Sequence, residues 1–361
     1  MASQFLSQLS KRVLVFDGAM GTSLYSHDLD VETDYHGCEN CTDILVDTRP
    51  DVVTQIHDSF LEVGADAVET DTFGASKLVL SEFDLQDRTF ELAKKGAELA
   101  RASADRFSTS DKPRFAIGSM GPGTKLVTLG QTTWDAMLDS YAELARGLIA
   151  GGVDALIIET CQDLLQVKCA VNACLKALEE AGKTTDDIPI LVSVTIETTG
   201  TMLLGTSIEA AATALARYPI ASLGLNCATG PVEMAEHVHY LSKHWDRHIS
   251  VIPNAGLPVL VDGKTEYPLK PGPLVETLMK YIERDGLSIV GGCCGTTPEH
   301  IKELAEAVGD RAPAERKREA TKPACTSLYS PVDYRQDTSF LIVGERMNAS
   351  GSRKFKRLLE E

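Results

Sequence analysis

Two adjacent cysteines, Cys293 and Cys294, sit in a run of glycines, with Gly291 and Gly292 before them and Gly295 after. A third, Cys227, stands in the separate stretch Gly-Leu-Asn-Cys-Ala-Thr-Gly-Pro (224–231). Thiolate sulfur suits zinc, at about 2.3 Å in tetrahedral geometry, and three protein ligands leave the fourth position open for a substrate. Neighbouring cysteines reach one ion only if the backbone between them turns sharply, and flanking glycines supply that freedom. The three thiols are therefore read as a catalytic Zn2+ site. Cys38 and Cys41 form a second candidate, Cys-x-x-Cys, whose spacing suits a metal or a redox pair. No second cysteine pair lies near it, and its role stays open. The chain holds nine cysteines, an odd number in a 361-residue sequence, which argues against a secreted disulfide scaffold. The scattered ones, such as Cys161, Cys169 and Cys174, read as small buried hydrophobes. His237 and His239 are two apart on a predicted helix and point to different sides, while His300 falls in the first turn of another, where it caps or packs.

Three thiols from distant parts of the chain must be carried to one place, and the hydrophobic pattern says how. Short Val- and Ile-rich runs without strict alternation occur at 13–16, 67–70, 115–118, 155–158, 190–196, 221–225, 249–252 and 287–290. Such runs suit strands buried on both faces of a parallel sheet. Amphipathic stretches lie between most of them, at 81–101, 134–150, 207–217, 231–243, 273–283 and 298–308, the last two with proline near the start. Strand then helix, eight times over about 300 residues, predicts an α/β fold of the (β/α)8 TIM-barrel type, with a doubly wound sheet as the competitor. Glycine or polar residues directly follow the apolar runs: DGAMGT (17–22), ETDTFGAS (69–76), GSMGPGT (118–124), ETCQD (159–163), NCATGP (226–231), PNAGLP (253–258) and GGCCGTTPEH (291–300). In a barrel all of these fall on the C-terminal face, where active sites are built. Cys227 then follows the sixth strand and Cys293–Cys294 the eighth, so the three can converge.

Bulk properties narrow the partners. The 52 acidic against 35 basic residues give a net charge of −17, which repels phosphate backbones and argues against nucleic acid. No apolar run approaches the length of a membrane span, and the N-terminus lacks a signal-peptide layout, so a cytoplasmic protein is expected. Residues 311–338, with several prolines and a charged run, read as a linker. Residues 339–361 restart with a strand and the first turns of a helix, too short for a domain and suggestive of a fragment of something longer.

Taken together, DGAMGT, ETDTFGA, GPGT, ETCQD, GLNCATGP, PNAGLPV with the later YPLKP, and GGCCGTTPEH resemble the homocysteine S-methyltransferase family over about residues 8–310, within a barrel domain expected at 1–310. The tail, FLIVGERMNASGSRKFKRLL (340–359), is similar to the opening of the methyltetrahydrofolate-binding domain that follows the homocysteine module in cobalamin-dependent methionine synthases. The resemblance implies that Cys227, Cys293 and Cys294 bind zinc and that homocysteine sulfur takes the open position, to be methylated to methionine. It implies methylcobalamin as donor, held by a separate cobalamin-binding domain, with folate held by another. It also implies Asp17 and Glu159 as acceptors for the substrate ammonium. Backbone N–H groups at Gly18–Thr22 and Thr72–Gly74 would receive the carboxylate, with Asn226 orienting the cysteine loop.

Three other readings stay open on the residues alone: a sibling enzyme using betaine or S-methylmethionine, a structural zinc site closed by four protein ligands, and a barrel enzyme doing acid–base chemistry with Asp17, Glu69 and Glu159.

Overall fold

The eight apolar runs form eight parallel strands: β1 (Leu14–Val15), β2 (Ala67–Glu69), β3 (Phe115–Met120), β4 (Ala155–Cys161), β5 (Ile190–Val194), β6 (Ser222–Asn226), β7 (His248–Ile252) and β8 (Ile289–Val290). The computed structural model describes residues 3–261, 264–338, 340 and 350–361. β3, β5 and β6 are buried along their whole length, because helices cover one face of the sheet and the barrel interior the other. That is why these runs carry no polar alternation. Each strand pairs in parallel with its sequence neighbour from β2 to β8. β1 then pairs with β8 through Leu14↔Ile289 and Val15↔Val290, and a bridge from Phe16 to Ala67 joins β1 to β2. The sheet closes on itself, and the fold is a (β/α)8 TIM barrel.

A helix follows every strand: α1 (Pro50–Glu62), α2 (Thr89–Phe107), α3 (Trp134–Ala150), α4 (Leu164–Glu180), α5 (Ile208–Leu215), α6 (Ala235–His244), α7 (Pro271–Asp285) and α8 (Pro298–Val308). α3 and α8 have the expected limits. α2 starts later than residue 81, because the chain first makes two 3-10 turns and Asp84 adopts a left-handed φ of 58°. α1 and α4 were not foreseen. α4 has a narrow polar stripe, Lys168, Asn172, Lys176 and Glu179, and buries most of the rest of its surface, including Gln166, Cys169 and Cys174.

An unforeseen N-terminal helix, Gln4–Leu9, plugs the bottom of the barrel. Phe5 packs edge-on against Phe115 and Phe16, with ring centroids 5.3 and 6.3 Å apart, and joins Leu9, Leu14, Ile117, Ile157 and Ile289 in the interior cluster. Filling that end leaves the opposite, C-terminal mouth as the open one.

Residues 311–338 run along the outer wall. Glu319 N–H donates to Lys243 O, Arg316 Nη1 donates to Trp245 O, and Ser207 N–H donates to Tyr329 O beside a small hairpin of Ala324–Thr326 and Pro331–Asp333. Of the tail expected to open another domain, residues 339 and 341–349 lie outside the described residues, and Arg353–Glu360 forms an exposed helix. No helix among the described residues is long and apolar enough to cross a membrane.

Candidate active site

The loops after β6 and β8 bring the three cysteines together. Their sulfurs all lie within 4.8 Å of one another, and Cys227 Sγ and Cys294 Sγ are 3.9 Å apart. Four sulfurs arranged tetrahedrally about zinc at about 2.3 Å would stand about 3.8 Å from each other, so the spacing fits the ion. Among the described residues, no fourth cysteine, histidine or carboxylate joins the group. Cys38 and Cys41 are not part of it: Cys41 is buried in a side cluster with Ile44, Val46 and Leu92, and burial pushes its thiol up to about 12.

Unusual backbone makes the convergence possible. Cys227 and Ala228 both adopt left-handed conformations, with φ of 58° and 51°. For residues with a Cβ this costs about 1–3 kcal/mol each, and it persists only where surroundings enforce it. Here Cys227 N–H donates to Ile252 O and Thr229 N–H to Cys227 O. After β8, Gly295 takes a φ of +78°, while a Cβ at Gly292 would stand 2.3 Å from Thr296 Oγ1. The glycines thus serve both a left-handed turn and a close approach. Cys294 is held at both ends, its N–H donating to Asn254 Oδ1 (3.1 Å) and its carbonyl accepting from Ala255 N–H (2.9 Å). The neighbouring thiols Cys227 and Cys293 hold Cys294 well below the ordinary thiol range. Cys293 and Cys294 shift the Cys227 thiol in opposite directions, and with burial it is pushed up to about 12.

The sulfurs open into a cavity of about 250 Å³ in the barrel mouth, whose walls include Asp17, Gly18, Thr22, Glu69, Ser119 and Glu159. Three carboxylates face one another there. Burial and the charges of Glu159 and Asp17 raise Glu69 well above the usual range, and one of its oxygens has no partner. Burial likewise raises Asp17, although it accepts from Glu69 N–H (3.1 Å). Glu159 is pushed to about 7 by burial, against the bond from Ser119 Oγ (2.5 Å). Crowded carboxylates without a counter-ion form a receptor for a cation, since an incoming ammonium restores the ionised forms.

The other expected residues divide. Gly18 lines the cavity, and a Cβ there would collide with Phe60 and Thr296. Thr22 lines it too, and its Oγ1 accepts from Gly295 N–H (3.2 Å), linking the first loop to the cysteine loop. Thr72 does not reach the cavity wall: its hydroxyl donates to Ser119 O and its N–H to Thr70 O. Gly74 N–H is taken by Asp43. The carboxylate contact expected at 72–74 is therefore limited to Phe73, leaving the Gly18–Thr22 turn as the better receptor. Asn226 stands behind the wall. Its Oδ1 accepts from Thr160 N–H (2.9 Å) and its Nδ2 donates to Glu159 Oε2 (3.3 Å), so it braces Glu159 and the left-handed Thr160 rather than the cysteines alone. His300 caps α8 with Thr297 and also reaches Leu269 O, as a structural residue. Ser119, Asn254 and Tyr267 were missed. The first two lie in strand-end motifs already noted, and Tyr267 opens the YPLKP segment; Tyr267 reaches Gly295 because a long loop folds back.

The family described as homocysteine S-methyltransferase matches residues 14–308. The methionine synthase of Mycobacterium tuberculosis is 49% identical over 357 residues, and that of Mycobacterium leprae 47% over 361. Each comparison takes in 99% of this chain but 30% of the relative, so the chain spans under a third of the length of these curated relatives. The metallated form of the homocysteine methyltransferase MmuM from Escherichia coli shares the fold, with a TM-score of 0.65 over 83% of this chain and 98% of that one at 20% identity. Given the match across the whole barrel, the chain belongs to the homocysteine S-methyltransferase family.

Proposed function

We propose that this chain binds zinc through Cys227, Cys293 and Cys294 and presents homocysteine as a thiolate for methylation by methylcobalamin, yielding methionine. The observation that carries the reading is the clustering of three sulfurs in the lining of a cavity that also bears the buried carboxylates of Asp17, Glu69 and Glu159. Bound there, zinc supplies the Lewis acidity that lets a thiol with an ordinary pKa near 8.5 lose its proton at neutral pH. Asp17 and Glu159 take the substrate ammonium, with Glu69 beside them. The N–H groups of the Gly18–Thr22 turn take its carboxylate. Asn226 and Ser119 hold Glu159 in place. Fixing both ends of the amino acid aims its sulfur at the cysteines, and the gain is orientation.

Residues 1–310 would form the homocysteine module, 311–338 a linker, and 339–361 the start of a folate-binding domain. A separate cobalamin-binding domain, in the same or a partner chain, would bring the methyl group. The greater length of the methionine synthase relatives supports this arrangement over a betaine or S-methylmethionine enzyme.

The test begins with zinc stoichiometry, followed by homocysteine titration of a cobalt-substituted sample. One metal per chain, with thiolate-to-metal bands that grow on titration, supports thiolate capture. Metal retained in a Cys227/Cys293/Cys294 triple-serine variant would sink the reading. Turnover with betaine or S-methylmethionine, and none with methylcobalamin, would leave the metal site but refute the donor.

A further inference from the structure

One buried carboxylate fastens the loop after β1 to the loop after β2. Asp43 lies in the 3-10 turn Thr42–Ile44, and its Oδ1 accepts from Gly74 N–H (2.8 Å), 31 positions along the chain. The contact is close: a Cβ at Gly74 would stand 2.6 Å from Asp43 Oδ2. Neighbours keep the turn in place, since Cys41 and Ile44 are both buried in the side cluster with Val46, Leu80 and Leu92. The Phe73–Gly74 peptide is gripped from its other side as well. Phe73 O accepts from Gly121 N–H (3.0 Å), directly after β3. The Phe73 ring lies on Gly121, where an added Cβ would stand 2.8 Å from two ring carbons. Loops after three strands thus meet at one peptide unit. Thr42 and Phe73, the residues beside the latch, both line the cavity that holds the cysteines. Asp43 stands behind them, 4% exposed.

We propose that Asp43 is a positioning residue of the substrate cavity: its carboxylate latches the loop after β1 onto the loop after β2 and holds Thr42 and Phe73 together as one wall. The proposal rests on the homocysteine reading above. Burial raises the Asp43 carboxyl to about 6, so at neutral pH it is ionised inside the protein. Desolvating a charge is costly, and the charge-assisted bond from Gly74 N–H offsets part of that cost. Ionisable groups kept buried in this way concentrate at functional sites. The loop that Asp43 fastens also carries Asp17 and the Gly18–Thr22 turn, which take the two ends of the amino acid. Holding it against Phe73 fixes the width of the cavity before the substrate arrives, so less freedom is lost on binding.

The experiment is a double-mutant cycle of Asp43→Ala and Gly74→Ala, with Asp43→Asn as the conservative variant. Zinc per chain and the urea midpoint are measured first, then the homocysteine Kd from the cobalt bands. Asp43→Asn keeps an acceptor oxygen and should bind within about twofold of wild type. Asp43→Ala should raise Kd roughly fivefold, the equivalent of one net hydrogen bond, at unchanged zinc content. Gly74→Ala should raise it by a similar factor, because its methyl group drives the carboxylate away. In the double variant that methyl enters the space the carboxylate left, so the combined effect should be no larger than either single one, where independent sites would multiply. Single variants that bind homocysteine like wild type, effects that multiply, or Kd values that rise only as zinc or the urea midpoint falls would each overturn the proposal alone. If Asp43→Ala does not fold, Asp43→Asn and Gly74→Ala still decide it, by unchanged and weakened binding respectively. A wild-type chain whose cobalt bands ignore homocysteine would overturn the reading beneath it, and the proposal with it.

Discussion

At the scale of single residues, the site works by placing charge where it lacks a partner. Glu159 is buried, braced by Ser119 and Asn226, and faces two more carboxylates. Glu159→Gln removes the charge but keeps the shape. A hydrogen bond to a charged group is worth about 1.5–3 kcal/mol, so the Kd for homocysteine, read by titration of the cobalt bands, should rise roughly 10- to 100-fold. Zinc content should stay at the wild-type level, and a loss of zinc would mean that Glu159 serves the metal instead. A different residue sets an acid limit on folding. His57 is fully buried in α1, neither ring nitrogen has a partner, and burial lowers its pKa to about 4, against a small opposing effect of Asp58. A depressed histidine pKa means that the unfolded chain binds the proton first. The associated stability is therefore intact above pH 6.5 and is lost as pH falls toward 4. Across that window His57 costs about 2–3 kcal/mol. The variant His57→Leu should show a correspondingly smaller fall in urea-unfolding free energy between pH 7 and pH 4.5. An identical fall in both proteins would show that His57 is solvated or paired. The comparison also cancels Asp43, whose pKa, raised to about 6 by burial, is common to both.

At the scale of elements, the barrel separates stability from chemistry. The helix Gln4–Leu9 seals one end with Phe5, which meets Phe115 at the start of β3. Truncating a buried phenylalanine usually costs about 3–5 kcal/mol, part of it for the cavity left behind. Phe5→Ala should lower the unfolding free energy by about that amount while leaving zinc stoichiometry unchanged, because the cysteines sit at the opposite mouth. A variant that keeps its stability but loses metal would contradict this division. The β4 end shows how an element is bent for function: its register shifts between Ile158 and Cys161, Thr160 takes a φ of 55°, and Asn226 from β6 holds the irregularity. The bend falls immediately after Glu159, at the cavity wall.

At the scale of the whole molecule, the mouth has an apolar rim. Phe73, Leu129, Leu203, Val232, Leu257 and Leu260 are exposed, each on a loop that follows a strand. Clustered exposed hydrophobics commonly mark interaction surfaces. If a separate domain brings the methyl group, Val232→Glu with Leu260→Glu should lower kcat/KM for the protein-borne donor by about tenfold, a typical effect for a contributing interface position. Turnover with free methylcobalamin should stay within about twofold of wild type. Equal losses with both donors would place the damage in the site itself.

The sequence alone determined the architecture and singled out the three cysteines that cluster, since both are written in local terms. Eight short Val- and Ile-rich runs followed by polar turns specify buried parallel strands and their active ends, and Gly-Gly-Cys-Cys-Gly requires sharp backbone next to two thiols. α4 shows only a narrow polar stripe, Lys168, Asn172, Lys176 and Glu179, on an otherwise largely buried helix and was passed over, and periodicity could not reveal the break before α2 at Asp84. Only tertiary structure decided that Thr72 turns into the protein while Thr22 ties two loops together, that Asn226 braces Glu159, and that Tyr267 returns to Gly295. Each of these depends on which distant segment lies alongside, and a side chain's partner across 28 or 273 positions is set by how the barrel closes rather than by its neighbours in the chain.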